Sequence, residues 1–220
     1  MGFALPNGAT VFAGAPTAPS VVTTAVSNAN GAVFTVATGH TLKVGDIVMV
    51  RSGWGLIDSL VAKITAQVDT SITIGAINTT DVSFFPAGGG KGSLQKIANW
   101  TQIPQITEVA QSGGDQQYVQ VQFLEDDRQR NLATFKAAKT QTFTFAHDAS
   151  QPIYSLLQDA DRNGVTLAFY MHVPKAKELR YWSAVPAFDP QPTTAVNQVE
   201  TVQVALAVQS CDMTFYKVTA

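Results

Sequence analysis

Tyr118-Val119-Gln120-Val121-Gln122-Phe123-Leu124 and Thr140-Gln141-Thr142-Phe143-Thr144-Phe145-Ala146 are two runs of strict alternation. Side chains along a strand point to opposite faces with period two, so each run reads as a half-buried strand. Val119, Val121 and Phe123 share one side of the first, with Gln120 and Gln122 on the other; Phe143 and Phe145 oppose Thr142 and Thr144 in the second. Glu125-Asp126-Asp127-Arg128-Gln129-Arg130 follows the first run, and Phe135 stands near the far end of the connection. A tight hairpin needs far fewer residues, and long loops inside compact domains are usually functional. Charges at the root and an aromatic near the far end make this a loop built to reach another subunit.

Downstream of these runs, Ile153, Leu156, Leu157 and Ala160 follow the spacing of one helical face. Asp148 or Ser150 is placed to cap that helix, Pro152 fits its first turn, and Gly164 fits the position just past its end. Strands are expected at 165–173, 179–185, 199–210 and 213–218. In the long one, Val202, Val204, Leu206 and Val208 form an apolar face. Thr201, Gln203, Ala205, Ala207 and Gln209 form a small, uncharged one.

Upstream, a short first strand around Thr10, Val11 and Phe12 precedes the proline-bearing stretch 14–20, which reads as a linker. Short β-rich runs then fill 21–26, 32–36, 46–51, 60–65 and 71–75, a spacing typical of a small barrel or sandwich. Pro86-Ala-Gly-Gly-Gly-Lys-Gly-Ser93 reads as a second linker. The resulting parse is an N-terminal arm and first strand at 1–15, an inserted β-rich module at 16–92, and the remaining domain at 93–220. A module between two linkers is expected to be removable.

In 220 residues, 45% are hydrophobic and only 14% charged, well under the usual quarter. Few charges remain to keep surfaces apart, which favours assembly. A formal net charge of −2 gives no basic footprint for gripping nucleic acid. The single cysteine, Cys211, rules out an intramolecular disulfide; within an apolar run it reads as buried and inert. No apolar stretch approaches the roughly 20 residues of a membrane helix, and no membrane association is expected. Residues 1–7 lack the pattern of a signal peptide. Met1-Gly2 invites myristoylation, but Pro6 stands where Ser or Thr is required.

Catalytic chemistry finds little support. His40, His147 and His172 are scattered without metal-ligand spacing. Gly88-Gly-Gly-Lys-Gly-Ser93 has Gly92 where a phosphate loop needs Ser or Thr after its lysine. Glu125, Asp126 and Asp127 lack the spacing of a calcium loop, and the adjacent Arg128 and Arg130 favour ion pairs instead. No catalytic residue, metal or cofactor is expected.

Three stretches carry a resemblance. Asn99-Trp-Thr-Gln-Ile-Pro-Gln-Ile-Thr-Glu108, Val121-Gln-Phe-Leu-Glu-Asp-Asp127 and Thr142-Phe-Thr-Phe-Ala146, in that order, resemble the major tail tube proteins of long-tailed, siphovirus-type bacteriophages. Asn163-Gly-Val-Thr-Leu-Ala-Phe-Tyr170, Tyr181-Trp-Ser-Ala-Val185 and the 202–208 run follow in the family's strand order, and Leu5-Pro-Asn-Gly-Ala-Thr-Val-Phe12 resembles its N-terminal arm. The resemblance covers about residues 1–15 and 94–220 and leaves the module without a counterpart. It implies a mainly β fold, a two-sheet sandwich or partial barrel flanked by one α-helix. Hexameric rings are implied, stacked into a tube that holds a tape-measure protein and conducts DNA during ejection. Tail terminator and distal tail proteins are the implied partners, and the virion tail, built in the bacterial host cytoplasm, is the implied location.

On these grounds Glu125, Asp126, Asp127, Arg128, Arg130 and Phe135 are expected at the ring-to-ring contact. Gln120, Gln122, Thr142, Thr144, Gln203 and Gln209 are candidates for the channel lining, since a lumen must pass DNA without holding it. The rival reading is a monomeric carbohydrate- or ligand-binding β-module using Trp54 and Trp182.

Overall fold

The computed structural model describes residues 5–218, so the myristoylation reading and the start of the N-terminal arm lie outside the described residues. The chain opens with β1 (Thr10–Gly14). It then makes β2 (Val21–Val26), β3 (Asn30–Val36), β4 (Ile47–Ser52), β5 (Val61–Lys63), β6 (Ala66–Val68), β7 (Ser71–Asn78) and β8 (Gly92–Lys96). After β9 (Thr101–Ile103) come β10 (Ile106–Gly113), β11 (Gln116–Val121), β12 (Arg130–Lys136) and β13 (Lys139–Ala146). Helix α1 (Pro152–Asn163) leads to β14 (Leu167–Val173), β15 (Glu178–Thr193), β16 (Thr201–Val208) and β17 (Thr214–Lys217).

The principal sheet is antiparallel with eight strands in the order β10-β13-β16-β15-β14-β1-β9, and β17 pairs with the start of β15. One side of this sheet buries Phe143, Phe145, Val202, Val204, Leu206, Phe188, Trp182 and Phe169 against Ile153, Tyr154, Leu157 and Ala160 of the helix. The fold is mainly β, a curled half-barrel with one α-helix among the described residues. The apolar faces read in 140–146 and 202–208 are the faces that point to this helix, because alternation fixes which residues share a side.

The helix runs where its periodicity placed it, and Gly164 closes it at φ 60° in the left-handed region, its N–H bonding back to Ala160 and Asp161. Its start differs from expectation. Gln151 is the first flanking residue and makes no side-chain cap. Asp148 instead accepts the Ser150 N–H at 3.1 Å and the Gln151 amide at 2.8 Å, fixing the turn ahead of the helix.

The second sheet runs β5-β4-β8-β2-β3-β7-β6. Its two ends, β5 and β6, are nearly consecutive in the chain, so the sheet curls back on itself as a small barrel around Phe34, Val50, Ile64, Ile72, Ile74 and Leu94. Neither expected linker is free chain. Thr17 sends its N–H and its hydroxyl to Lys96 O, at 2.8 and 2.7 Å, so the strands entering and leaving the barrel are tied together. Gly89 and Gly90 pack on Trp54: a β-carbon on Gly90 would sit 2.7 Å from the indole, whose N–H donates to Pro86 O at 3.0 Å. The boundary at 92 falls at the head of β8, which lies between β4 and β2 and completes the barrel.

A third apolar cluster joins the two sheets. Met49, Val61 and Ile97 meet Ala168, Tyr181, Trp100 and Tyr216 on the side of the principal sheet away from the helix. Three hydrogen bonds cross the same joint. The Lys63 N–H donates to the Tyr216 hydroxyl at 2.8 Å, Thr214 Oγ1 to Val61 O at 2.6 Å, and Ser183 Oγ to Ser59 O at 2.5 Å.

Candidate assembly surfaces

The alternating run 118–124 is not the partner of 140–146. β13 pairs instead with β10, in the register Glu108–Thr144, Ala110–Thr142 and Ser112–Thr140. β11 pairs with β12, a strand inside the stretch read as loop, in the register Val119–Leu132, Gln120–Asn131 and Val121–Arg130. The strand also stops at Val121, and Gln122-Phe123-Leu124 belong to the turn beyond it. Gly113 and Gly114, at φ +79° and +83°, make the corner where the chain leaves the sheet. A β-carbon on Gly113 would collide with Ala138 O, so this corner requires glycine.

The result is a two-stranded arm with no core of its own. Val119 is 48% exposed, Leu132 52%, Phe135 68%, and Leu124 at the tip is fully exposed. The expected half-burial of Val119 and Phe123 therefore fails within one chain: period two reports two faces, and says nothing of whether either is covered. Among the expected contact residues, Glu125, Asp127, Arg128 and Arg130 ring the tip, exposed, while Phe135 lies nearer the root. Arg130 pairs with Asp126 at 3.1 Å, a surface ion pair that contributes at most about 1 kcal/mol.

The open face of the half-barrel is built from β10, β13, β16 and the second half of β15. Three rows cross it: Glu108–Thr144–Gln203–Asp189, Ala110–Thr142–Ala205–Ala187, and Ser112–Thr140–Ala207–Val185. These side chains are small or polar, two are carboxylates, and no row holds Lys or Arg. Thr142, Thr144 and Gln203 come together because β13 pairs with β16; alternation had fixed only which residues of each strand share a face. Gln209 follows the last residue of β16 and sends its N–H to Ser183 O at 2.9 Å. Gln120 lies on the arm and Gln122 at its tip, where the Gln122 amide donates to Asp126 O at 3.0 Å. Sequence reasoning missed Glu108, Ala187 and Asp189. The prolines at 186, 190 and 192 concealed the second half of β15, a strand position that only an edge tolerates.

Two backbone edges flank this four-stranded patch. β10 has no partner beyond it among the described residues, and β15 has none on its β14 side past Ala184. Elsewhere, Trp54 and Trp182 are core residues, 3% and 2% exposed, and present no ring to a sugar. Cys211 is exposed, contrary to the reading from its apolar neighbours. β16 ends at Val208, so alternation no longer applies there, and the thiol lies 3.7 Å from Gly55 O at the barrel.

No curated protein sequence matches the chain. Among solved structures, a chain of the cryo-EM structure of the anti-feeding prophage baseplate, 6-fold symmetrised, is similar at 15% identity, covering 56% of this chain and 88% of that one with a TM-score of 0.36. The family model described as phage tail tube protein, TTP, matches residues 52–218. That span takes in the later strands of the barrel, which the sequence reading left without a counterpart, as well as the arm, the helix and every strand of the open face. With most of its length matched, the chain belongs to the phage tail tube protein family.

Proposed function

We propose that copies of this chain close into rings, hexameric by family resemblance, with the open face of the half-barrel lining a channel. The observation that carries this reading is the pairing of that face with two free edges. β10, β13, β16 and β15 are successively antiparallel, so the outer strands run in opposite directions. The next copy's β10 therefore meets β15 antiparallel, a head-to-tail contact that closes a ring and leaves no strand edge exposed. The lining is then neutral to acidic, suited to passing a polyanion without holding it.

The arm makes the ring-to-ring contact. A two-stranded hairpin is marginal alone in water, and this one exposes apolar side chains on both faces. A neighbouring ring supplies the missing cover, and stacking rings yields a tube. A tape-measure protein fills the channel before DNA, and terminator and distal tail proteins end the tube. Synthesis takes place in the host cytoplasm before incorporation into the virion.

Negative-stain microscopy of the purified protein is expected to reveal tubes of one diameter. Thr144→Lys with Gln203→Lys should leave tube formation intact and make preformed tubes retain short duplex DNA, measured by co-sedimentation at low salt. A monodisperse monomer at every concentration overturns the ring. Lysine tubes that retain no more DNA than the parent overturn the assignment of this face to the lumen.

A further inference from the structure

We infer that a single register joins neighbouring copies, in which Phe188 pairs with Gln111 of the next copy; this rests on the ring reading above. The Gln209 N–H reaches Ser183 O, and Val185, Ala187 and Asp189 continue that parity along the ladder with β16. Alternate residues of a strand direct their backbone groups to opposite neighbours. Pro186 and Phe188 are therefore residues whose backbone addresses the free edge; past Asp189 the ladder with β16 shifts register before Thr193, and there Pro190 and Pro192, like Pro186, have no N–H to give. The Gln191 N–H is already bonded to the Asp189 carboxylate at 3.0 Å. Only the Phe188 N–H remains as an outward donor along this half of β15.

The same parity applied to β10 identifies its outward groups. The Ala146 N–H donates to Gln105 O at 3.2 Å, so Thr144, Thr142 and Thr140 turn their backbones toward Glu108, Ala110 and Ser112. Val109 and Gln111 then present both N–H and C=O to a neighbour. A reciprocal two-bond pair is possible only at Phe188, opposite one or the other.

Charge and geometry choose between them. With Val109 opposite Phe188, Glu108 would face Asp189 directly, and like charges at that position are destabilising. With Gln111 opposite Phe188, Asp189 faces Ala110 instead, and Glu108 lies two residues further along, where β15 has left its regular ladder. Closure adds a second reason. Val109, Phe143, Val204 and Phe188 already form one row within a copy, so repeating it would build a ring without stagger, whereas a closed barrel needs tilted strands and a stagger. The prolines thus blunt this edge against indiscriminate pairing and leave one donor to set its register.

Disulfide trapping in full-length protein carrying Cys211→Ser tests the register. Directly opposed residues of a non-hydrogen-bonded antiparallel pair lie about 4.5 Å apart at Cα, within disulfide reach. Asp189→Cys with Ala110→Cys should give a ladder of linked subunits on a non-reducing gel once tubes are oxidised. Asp189→Cys with Glu108→Cys, displaced diagonally, should not. Tubes that link the second pair and not the first, or neither, overturn the register while sparing the ring. Absence of tubes from the unsubstituted protein strikes the ring reading itself. If the cysteine pairs fail to assemble, Ala110→Glu decides: it sets a carboxylate opposite Asp189 and should raise the assembly threshold about two- to fivefold at low ionic strength, with salt restoring it. An unchanged threshold overturns the register.

Discussion

Tyr181 stands at the joint between the barrel and the principal sheet, with the rings of Tyr170, Tyr216 and Trp100 at 5.4, 5.7 and 6.1 Å. Burial first, then the neighbouring Tyr170 and Tyr216 hydroxyls, push its own hydroxyl up to about 12. The unfolded chain releases this proton near the ordinary value of 10.0. The stability contributed by the neutral ring is therefore complete below pH 10 and is lost as pH rises toward 12. Burial shifts Tyr170 and Tyr216 in the same direction. Tyr181→Phe should flatten the alkaline fall of the melting temperature between pH 10 and 12, read by circular dichroism, while leaving the neutral-pH value nearly unchanged. An identical alkaline fall would show that the joint does not hold Tyr181 neutral.

At the scale of elements, the arm and the helix answer differently to the same sequence logic. The helix declares itself through a 3.6-residue stripe between Pro152 and Gly164, and its partner face through the phenylalanines of β13. Both were legible because a covered face and its period are written locally. Strand partnership is not, since alternation in 118–121 is equally consistent with β12 or β13 as neighbour; the latter is excluded because β10 and β16 take both its edges, while the corner at Gly113-Gly114 turns the chain out of the sheet. The arm is thus a pair of strands to be tested as a unit. Replacing residues 115–137 by a short glycine turn should keep the melting temperature within a few degrees, because the arm buries nothing in the helix-backed core. Tubes should be lost and at most isolated rings remain by electron microscopy. Normal tubes from this variant would remove the arm from the ring-to-ring contact.

For the molecule as a whole, the joint alters the expectation that the barrel can be excised. Deleting 15–92 would leave β8 without neighbours and uncover Ala168, Tyr181 and Tyr216, all packed in the shared cluster. That deletion should aggregate. Met49→Ala is a milder probe: Met49 is fully buried in the joint, and the cavity should cost about 2–5 kcal/mol. Denaturant unfolding should then follow one transition at a lower midpoint by both tryptophan fluorescence and circular dichroism. Two separated transitions would show that barrel and half-barrel fold independently.

Local pattern alone determined the β-rich class, the helix, the two faces of β13 and β16, and the scarcity of charge that favours assembly. These follow from side-chain periodicity and turn chemistry, which act over a few residues. Tertiary structure decided which strands are neighbours, that Gly89 and Gly90 pack on Trp54, that the proline-rich end of β15 is a strand edge, and that Glu108 and Asp189 share the open face with Thr144 and Gln203. Each of these depends on contacts between residues distant in the chain, where burial and hydrogen-bond partners are set by the packed whole and no local period records them.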